Sequence, residues 1–120
     1  MTPSQIISAD LERLGKDPAE SLRAIALGLK AKTLIQLKEN DSVLLLRKLG
    51  EGAVELHLFT QDSPLKLAKS IIAFIKKIKA SDIERVYGNA DNEQIVQLLK
   101  NLDVPVQESD RPEYNWMAMV

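Results

Sequence analysis

The chain predicts a mixed α+β fold in which a mostly antiparallel sheet contains one parallel strand pair. Three observations carry that expectation. An apolar run beginning at Ile83 breaks at Gly88-Asn89 and restarts as a helix with Ile95, Leu98, Leu99 and Leu102 along one side, so a strand feeds a helix. A further strand and amphipathic helix precede Ile83, and strand, helix, strand, helix is the pattern that buries two parallel strands under a crossover helix. Upstream, three short apolar runs separated by turn signals form an antiparallel meander, preceded by two helical segments. The expected order is α-α-β-β-β-α-β-α-β-β.

Each element has a local reason. From Pro3 to Leu14 the residues Ile6, Ile7, Leu11 and Leu14 recur at helical intervals, and Gly15 stands where a helix end needs positive φ. Asp17-Pro18-Ala19-Glu20 offers a capping side chain, a proline suited to the first helical position and an acid in the first turn, ahead of the stripe Leu22, Ile25, Ala26 and Leu29. This helical pair is expected to cover one face of the sheet. Leu34, Ile35 and Leu37, and then Val43 to Leu49 beyond the Asn40-Asp41 turn, read as two antiparallel strands. Gly50-Glu51-Gly52 connects tightly to a third, where Val54, Leu56 and Leu58 alternate with Glu55, His57 and Phe59.

Asp62 or Ser63 is the expected cap of a third helix, with Pro64 in its first position and an end near Lys79. Leu65, Ala68, Ile71, Ile72, Ile75 and Ile78 are expected to form its apolar side, with Lys66, Lys69, Lys76, Lys77 and Lys79 spread over the rest. Val104-Pro105-Val106 and Asn115 to Val120 read as two last strands joined by a polar loop. Tyr114 and Trp116 are expected to pack at the sheet edge, because no basic residues interleave with them as a base-stacking platform requires.

At 120 residues the chain is expected to be one domain, long enough to bury roughly two thirds of its unfolded surface. Its parts are a helical layer (1–31), a β-meander (32–60), a helix–strand–helix unit (61–106) and the C-terminal strand (107–120). Sixteen basic residues against 17 acidic ones give a net charge of -1, which favours neither nucleic acid nor a membrane surface as partner. With no cysteine there are no disulfides or thiolate metal sites, and one histidine leaves only carboxylates for a metal centre, so no metal ligands are expected. The first ten residues lack the basic start and apolar core of a signal peptide, and no apolar run approaches the ~20 residues of a membrane span, so a soluble, cytoplasmic protein is expected. His57 invites a catalytic reading, but on an alternating strand a solvated or satisfied imidazole is the plainer one. The lysines of the third helix could likewise serve an anionic membrane or a phosphate, yet they have no flanking aromatics and read as a solvated surface.

Over about residues 33–120 the order of elements resembles the GNAT acyltransferase fold lacking its first strand, which implies helices on both faces of the sheet and a central parallel pair. Asn92 to Val104 is similar to the family's late helix, typically an Asn, an Ala a few residues on and a Leu-Tyr-Glu-Lys-Leu-Gly-Phe ending, and Tyr114-Asn115-Trp116-Met117-Ala118-Met119 resembles its terminal strand. Leu58-Phe59-Thr60-Gln61-Asp62 and Val86-Tyr87-Gly88-Asn89 resemble segments of short GNAT-like proteins of tailed phages, among them an internal virion protein of short-tailed phages.

The departures bear on function. Active members of the family carry a Gln/Arg-x-x-Gly-x-Gly/Ala loop whose backbone N–H groups hold the pyrophosphate of acetyl-CoA, with glycine needed for the close approach. This chain has Thr60-Gln61-Asp62-Ser63-Pro64-Leu65-Lys66 there: no glycine, a proline without a donor, and an acid where phosphates would lie. The family's general-acid tyrosine falls on Leu99, which has no proton to give, and its Gly-Phe pair on Asp103-Val104. The resemblance offers Glu55 and His57 as candidate bases and Gln61, Ser63, Lys66, Asn89 and Asn92 as candidate cofactor contacts, although Asn92 is also a cap in its own right. It therefore implies a catalytically degenerate domain without a cofactor, acting through protein–protein contacts as a phage virion or host-interaction protein, in the host cytoplasm or the virion. The alternative is an active acetyl-CoA-dependent N-acyltransferase with a non-standard phosphate loop, helped by the third helix's lysines. Tyr114–Val120, read as an open sheet edge, is the expected contact for a protein partner or a second copy.

Overall fold

Val43, Leu44, Leu45 and Leu46 are all buried, because the strand that carries them is covered on both faces. The structure, a computed structural model, describes residues 1–89 and 93–120. Its elements run α1 (Pro3–Arg13), α2 (Pro18–Lys30), β1 (Leu34–Glu39), β2 (Ser42–Gly50), β3 (Ala53–Thr60), α3 (Pro64–Lys79), β4 (Arg85–Gly88), α4 (Glu93–Asn101), β5 (Val106–Glu108) and β6 (Trp116–Met119). Among the described residues they form one six-stranded sheet in the order β1-β2-β3-β4-β6-β5. Only β3 and β4 are parallel, with α3 as their crossover; the other neighbours are antiparallel. The chain is thus a mixed α+β domain of the order its sequence predicts.

Side chains alternate across the pleat, so β2 feeds two cores at once. Leu44 and Leu46 join Val54, Leu56 and Val86 beneath Phe74, Ile75 and Ile78 of α3 and Ile95 and Leu99 of α4. Val43 and Leu45 face the other way, onto Ile6, Ile7 and Leu11 of α1, with Leu22 and Ile25 of α2 half-buried behind them. On the rest of that second face, Ala53, Tyr87 and Met117 form a small core of their own with Leu49 and Tyr114.

The caps and turns follow the local chemistry. Thr2 and Gln5 make a reciprocal capping box on α1, and the Asp17 side chain accepts from the Ala19 amide at the start of α2. The β2–β3 hairpin closes through Gly50, Glu51 and Gly52, all at positive φ (95°, 52° and 78°), the backbone state that makes glycine the favoured residue on either side.

Four expectations are corrected. Leu14 is 57 % exposed, since it caps α1 rather than belonging to it, and Ala26 faces solvent on α2. The buried side of α3 runs Leu67, Ile71, Phe74, Ile75 and Ile78, which puts Leu65 and Ile72 outside its arc and in solvent. The first of the last two strands is displaced, Val106–Glu108 in place of Val104–Val106, and the second is shorter than Asn115–Val120: Pro105 has no amide to pair, though its carbonyl accepts from Met119 N at 3.1 Å. Finally, Tyr114–Val120 is not a sheet edge. β6 is paired with β4 on one side and β5 on the other, Trp116 is buried in the main core, and the edges of the sheet are β1 and β5.

Candidate functional site

The parallel pair is in register only from Ala53↔Arg85 to Glu55↔Tyr87. Beyond that point β3 runs on to Thr60, while β4, paired with β6 along its whole length, ends at Gly88 opposite Trp116, so Leu56 to Thr60 have no β4 partner. Gly88 is required at this end because the Trp116 indole lies against its backbone: a Cβ there would sit 2.2 Å from Trp116 Cζ2. The indole Nε1 also donates to the Asn89 carbonyl at 3.0 Å, which anchors the ring at the end of β4. Below it opens a cleft of about 770 Å³. Leu58, Leu67, Ile71, Ile95 and Leu98 supply its apolar wall, and Thr60, Gln61, Asp62, Gln97 and Asn101 its polar side, with Asp10 and Arg13 reaching in from α1. Asp10 is buried and accepts from Arg13 Nη2 at 2.6 Å, so the one carboxylate of α1's inner side enters the cleft already paired.

The corner where β3 gives way to α3 is held by Asp62. Its Oδ1 accepts from the Asp41 amide at 3.1 Å, and its Oδ2 takes the Ser42 hydroxyl at 2.6 Å and lies 3.2 Å from Ser70 Oγ. Thr60 Oγ1 accepts from the Asp62 amide at 3.0 Å and is 2.6 Å from Ser42 Oγ, while Asn40 Nδ2 donates to Ser70 Oγ at 3.0 Å. Ser42 and Ser70 are fully buried, so the carboxylate ties the β1–β2 turn, the end of β3 and the second turn of α3 into one network. Asp62 is therefore not the cap of α3. Ser63 holds that position and makes no side-chain capping bond.

The remaining candidates separate. Gln61 lines the cleft and donates to the Thr60 carbonyl at 2.9 Å. Ser63 and Lys66 are exposed and do not line it, and Asn89 is exposed with its carbonyl taken by Trp116. Asn92 lies outside the described residues.

Glu55 and His57 come together, but on the opposite face of β3 from the cleft wall. The Glu55 carboxylate is held by Arg47 Nη2 at 2.7 Å, by the Tyr114 hydroxyl and by His57 Nε2. Burial pushes this carboxyl up, yet the three hydrogen bonds outweigh it and bring it down to about 2. The same contact raises Arg47, and burial together with the Glu55 bond and charge raises Tyr114. A carboxylate so stabilised is a poor proton acceptor and a tyrosine so placed a poor donor. Next to them Tyr87 is fully buried, donates to Asp110 Oδ1 at 2.7 Å and lies under the Arg111 guanidinium, 4.9 Å from the ring centroid. The arrangement clamps the loop before β6 onto the half of the sheet that α1 and α2 leave uncovered.

Sequence reasoning did not find Arg47 or Asp10, the bond from Tyr114 to Glu55, or the convergence of Ser42 and Ser70 on Asp62. Arg47 stands opposite Glu55 because the register shifts by one between Lys48 and Gly50; a regular hairpin closing at Glu51-Gly52 would set Arg47 opposite Leu56, so counting along the sequence does not find the pair. No protein-family model, curated protein or solved structure matches the chain. No helix among the described residues is long and apolar enough to cross a membrane.

Proposed function

We propose that the chain is a catalytically degenerate GNAT-like domain that works through protein contacts, with the cleft as the place where a partner segment seats. The element order supports the GNAT-like part, as does the end of the β3–β4 pairing at Glu55 and Tyr87. So does Asp103, which takes φ 58° where the family pattern has glycine. The observation that carries the loss of acyl chemistry is the Asp62 carboxylate, locked by Asp41, Ser42 and Ser70 at the corner where a pyrophosphate would need backbone donors. Pro64 withholds a further donor from the same turn, and Glu55, the nearest thing to a base, faces away from the cleft in a saturated network. On the resemblance, the setting is a phage virion or host-interaction protein. Isothermal titration with acetyl-CoA and with CoA tests the reading: no heat of binding is expected, and micromolar affinity for either overturns it.

One observation favours a second reading. The cleft lies along the end of β3, past the last residue paired with β4, a place that suits an extended ligand, so an acetyl-CoA-dependent N-acyltransferase with a non-standard phosphate loop is the alternative. Incubation with radiolabelled acetyl-CoA and mixed amines separates the two, since transfer above the uncatalysed background belongs to the enzyme alone.

A further inference from the structure

The outer side of α3 carries a charge pattern that the cleft does not use. Its 16 residues hold five lysines and no acid, so in a chain of net charge -1 the remainder carries -6. Lys77 reaches Glu39 Oε1 at 2.7 Å. Lys66, Lys69, Lys76 and Lys79 are exposed and, among the described residues, form no ion pair. Leu65, Lys69, Ile72, Lys76 and Lys79 follow one another at intervals of three or four, which sets them in a single line along the helix. The two apolar members are open to solvent, Leu65 at 71 % and Ile72 at 37 %.

We infer that this line docks on an anionic phospholipid surface. Charge complementarity names the sign of the partner, and the opposite excess on the rest of the chain turns α3 toward it. The interleaved leucine and isoleucine name its chemistry: they gain from the boundary between headgroups and acyl chains, while the lysine stems lie along that boundary with their ammonium groups at the phosphates. A nucleic-acid backbone would use the lysines and leave Leu65 and Ile72 in water, and the line offers no arginine or aromatic ring for bases. The inference concerns the outside of α3 and does not depend on what the cleft holds.

Co-sedimentation of the full chain with vesicles of phosphatidylcholine alone, or mixed with phosphatidylserine, tests it. The chain is expected to pellet with the mixed vesicles and not the neutral ones, with affinity falling about tenfold or more between low and physiological ionic strength. Lys69→Glu with Lys76→Glu is expected to abolish pelleting, and Leu65→Ser with Ile72→Ser to weaken it several-fold, roughly the effect of losing two aliphatic contacts. All four positions are exposed, so circular dichroism should show an unchanged fold. Failure of the unaltered chain to pellet with mixed vesicles overturns the inference. So does pelleting that survives Leu65→Ser with Ile72→Ser undiminished and is competed away by duplex DNA.

Discussion

Asp62 shows how one side chain decides what a corner of the fold can bind. Its two oxygens serve one amide and the hydroxyls of two fully buried serines, so Asp62→Ala takes the partner from the Asp41 amide and leaves Ser42 only Thr60 Oγ1 and Ser70 only the Glu39 carbonyl, at 3.3 Å, as acceptors. The expected cost is about 1–3 kcal/mol, read from the midpoint of urea unfolding, and Asp62→Asn should recover part of it. Glu55 works in the same manner on the other face. Its folded-state proton affinity is below that of the unfolded chain, so its contribution is complete above the ordinary value of 4.5 and fades as pH falls toward about 2. Unfolding of the native chain and of Glu55→Gln should therefore differ by on the order of 1 kcal/mol near neutrality, given partial solvent screening, and converge at the acid end. Gly88→Ala is the steric counterpart: the new methyl collides with a buried indole, predicting a loss of roughly 2 kcal/mol or more and red-shifted Trp116 emission. None of these three roles shows in the sequence by itself. An acid before a proline looks like a helix cap, and only the folded chain reveals that Ser42 and Ser70 converge on it.

Among the helices, α2 is the least committed to the fold. It has no fully buried residue and exposes Leu27 at 68 %, whereas β2 is buried on both faces. Hydrogen exchange should therefore be at least about tenfold faster across Pro18–Lys30 than across Ser42–Leu46, since an element with few buried contacts opens locally at low cost. Equal protection of the two would show that α2 is locked by something other than its apolar side. Periodicity made the elements legible, because the stripes of α1, α3 and α4 and the alternation of β3 are imposed by the cores they face. It served less well where arcs had to be counted: the expected apolar side of α3 took in Leu65 and Ile72 and left out Leu67 and Phe74, although only the arc from Leu67 to Ile78 meets the sheet. Strand order was beyond local reading as well. β6 enters between β4 and β5 by a chain reversal in 109–115, so the last strand in sequence is interior in space.

At the scale of the whole molecule, one sheet separates two kinds of surface. The α3 and α4 side contains the main core and the cleft, and the other side is shared between the α1–α2 layer and the loop clamped by Glu55, Tyr87 and Tyr114. The candidate bases and the cleft thus belong to opposite faces, which is why residues grouped by resemblance do not assemble into one site. The fold order was legible because each connection has its own turn or cap signal, whereas the site was not, because it depends on which side of β3 each residue faces once its pairing with β4 has ended. The central claim is that the Thr60–Lys66 corner is a poor cradle for a polyphosphate: it holds the Asp62 carboxylate, its Gln61 and Asp62 amides are already bonded to Asp41 and Thr60, and Pro64 has no donor. Titrating CoA into the isotopically labelled chain while following the backbone amides of Gln61, Asp62, Ser63, Leu65 and Lys66 by heteronuclear NMR tests it most directly. The account predicts that these amides stay in place at millimolar CoA; saturable shifts concentrated on them would contradict it.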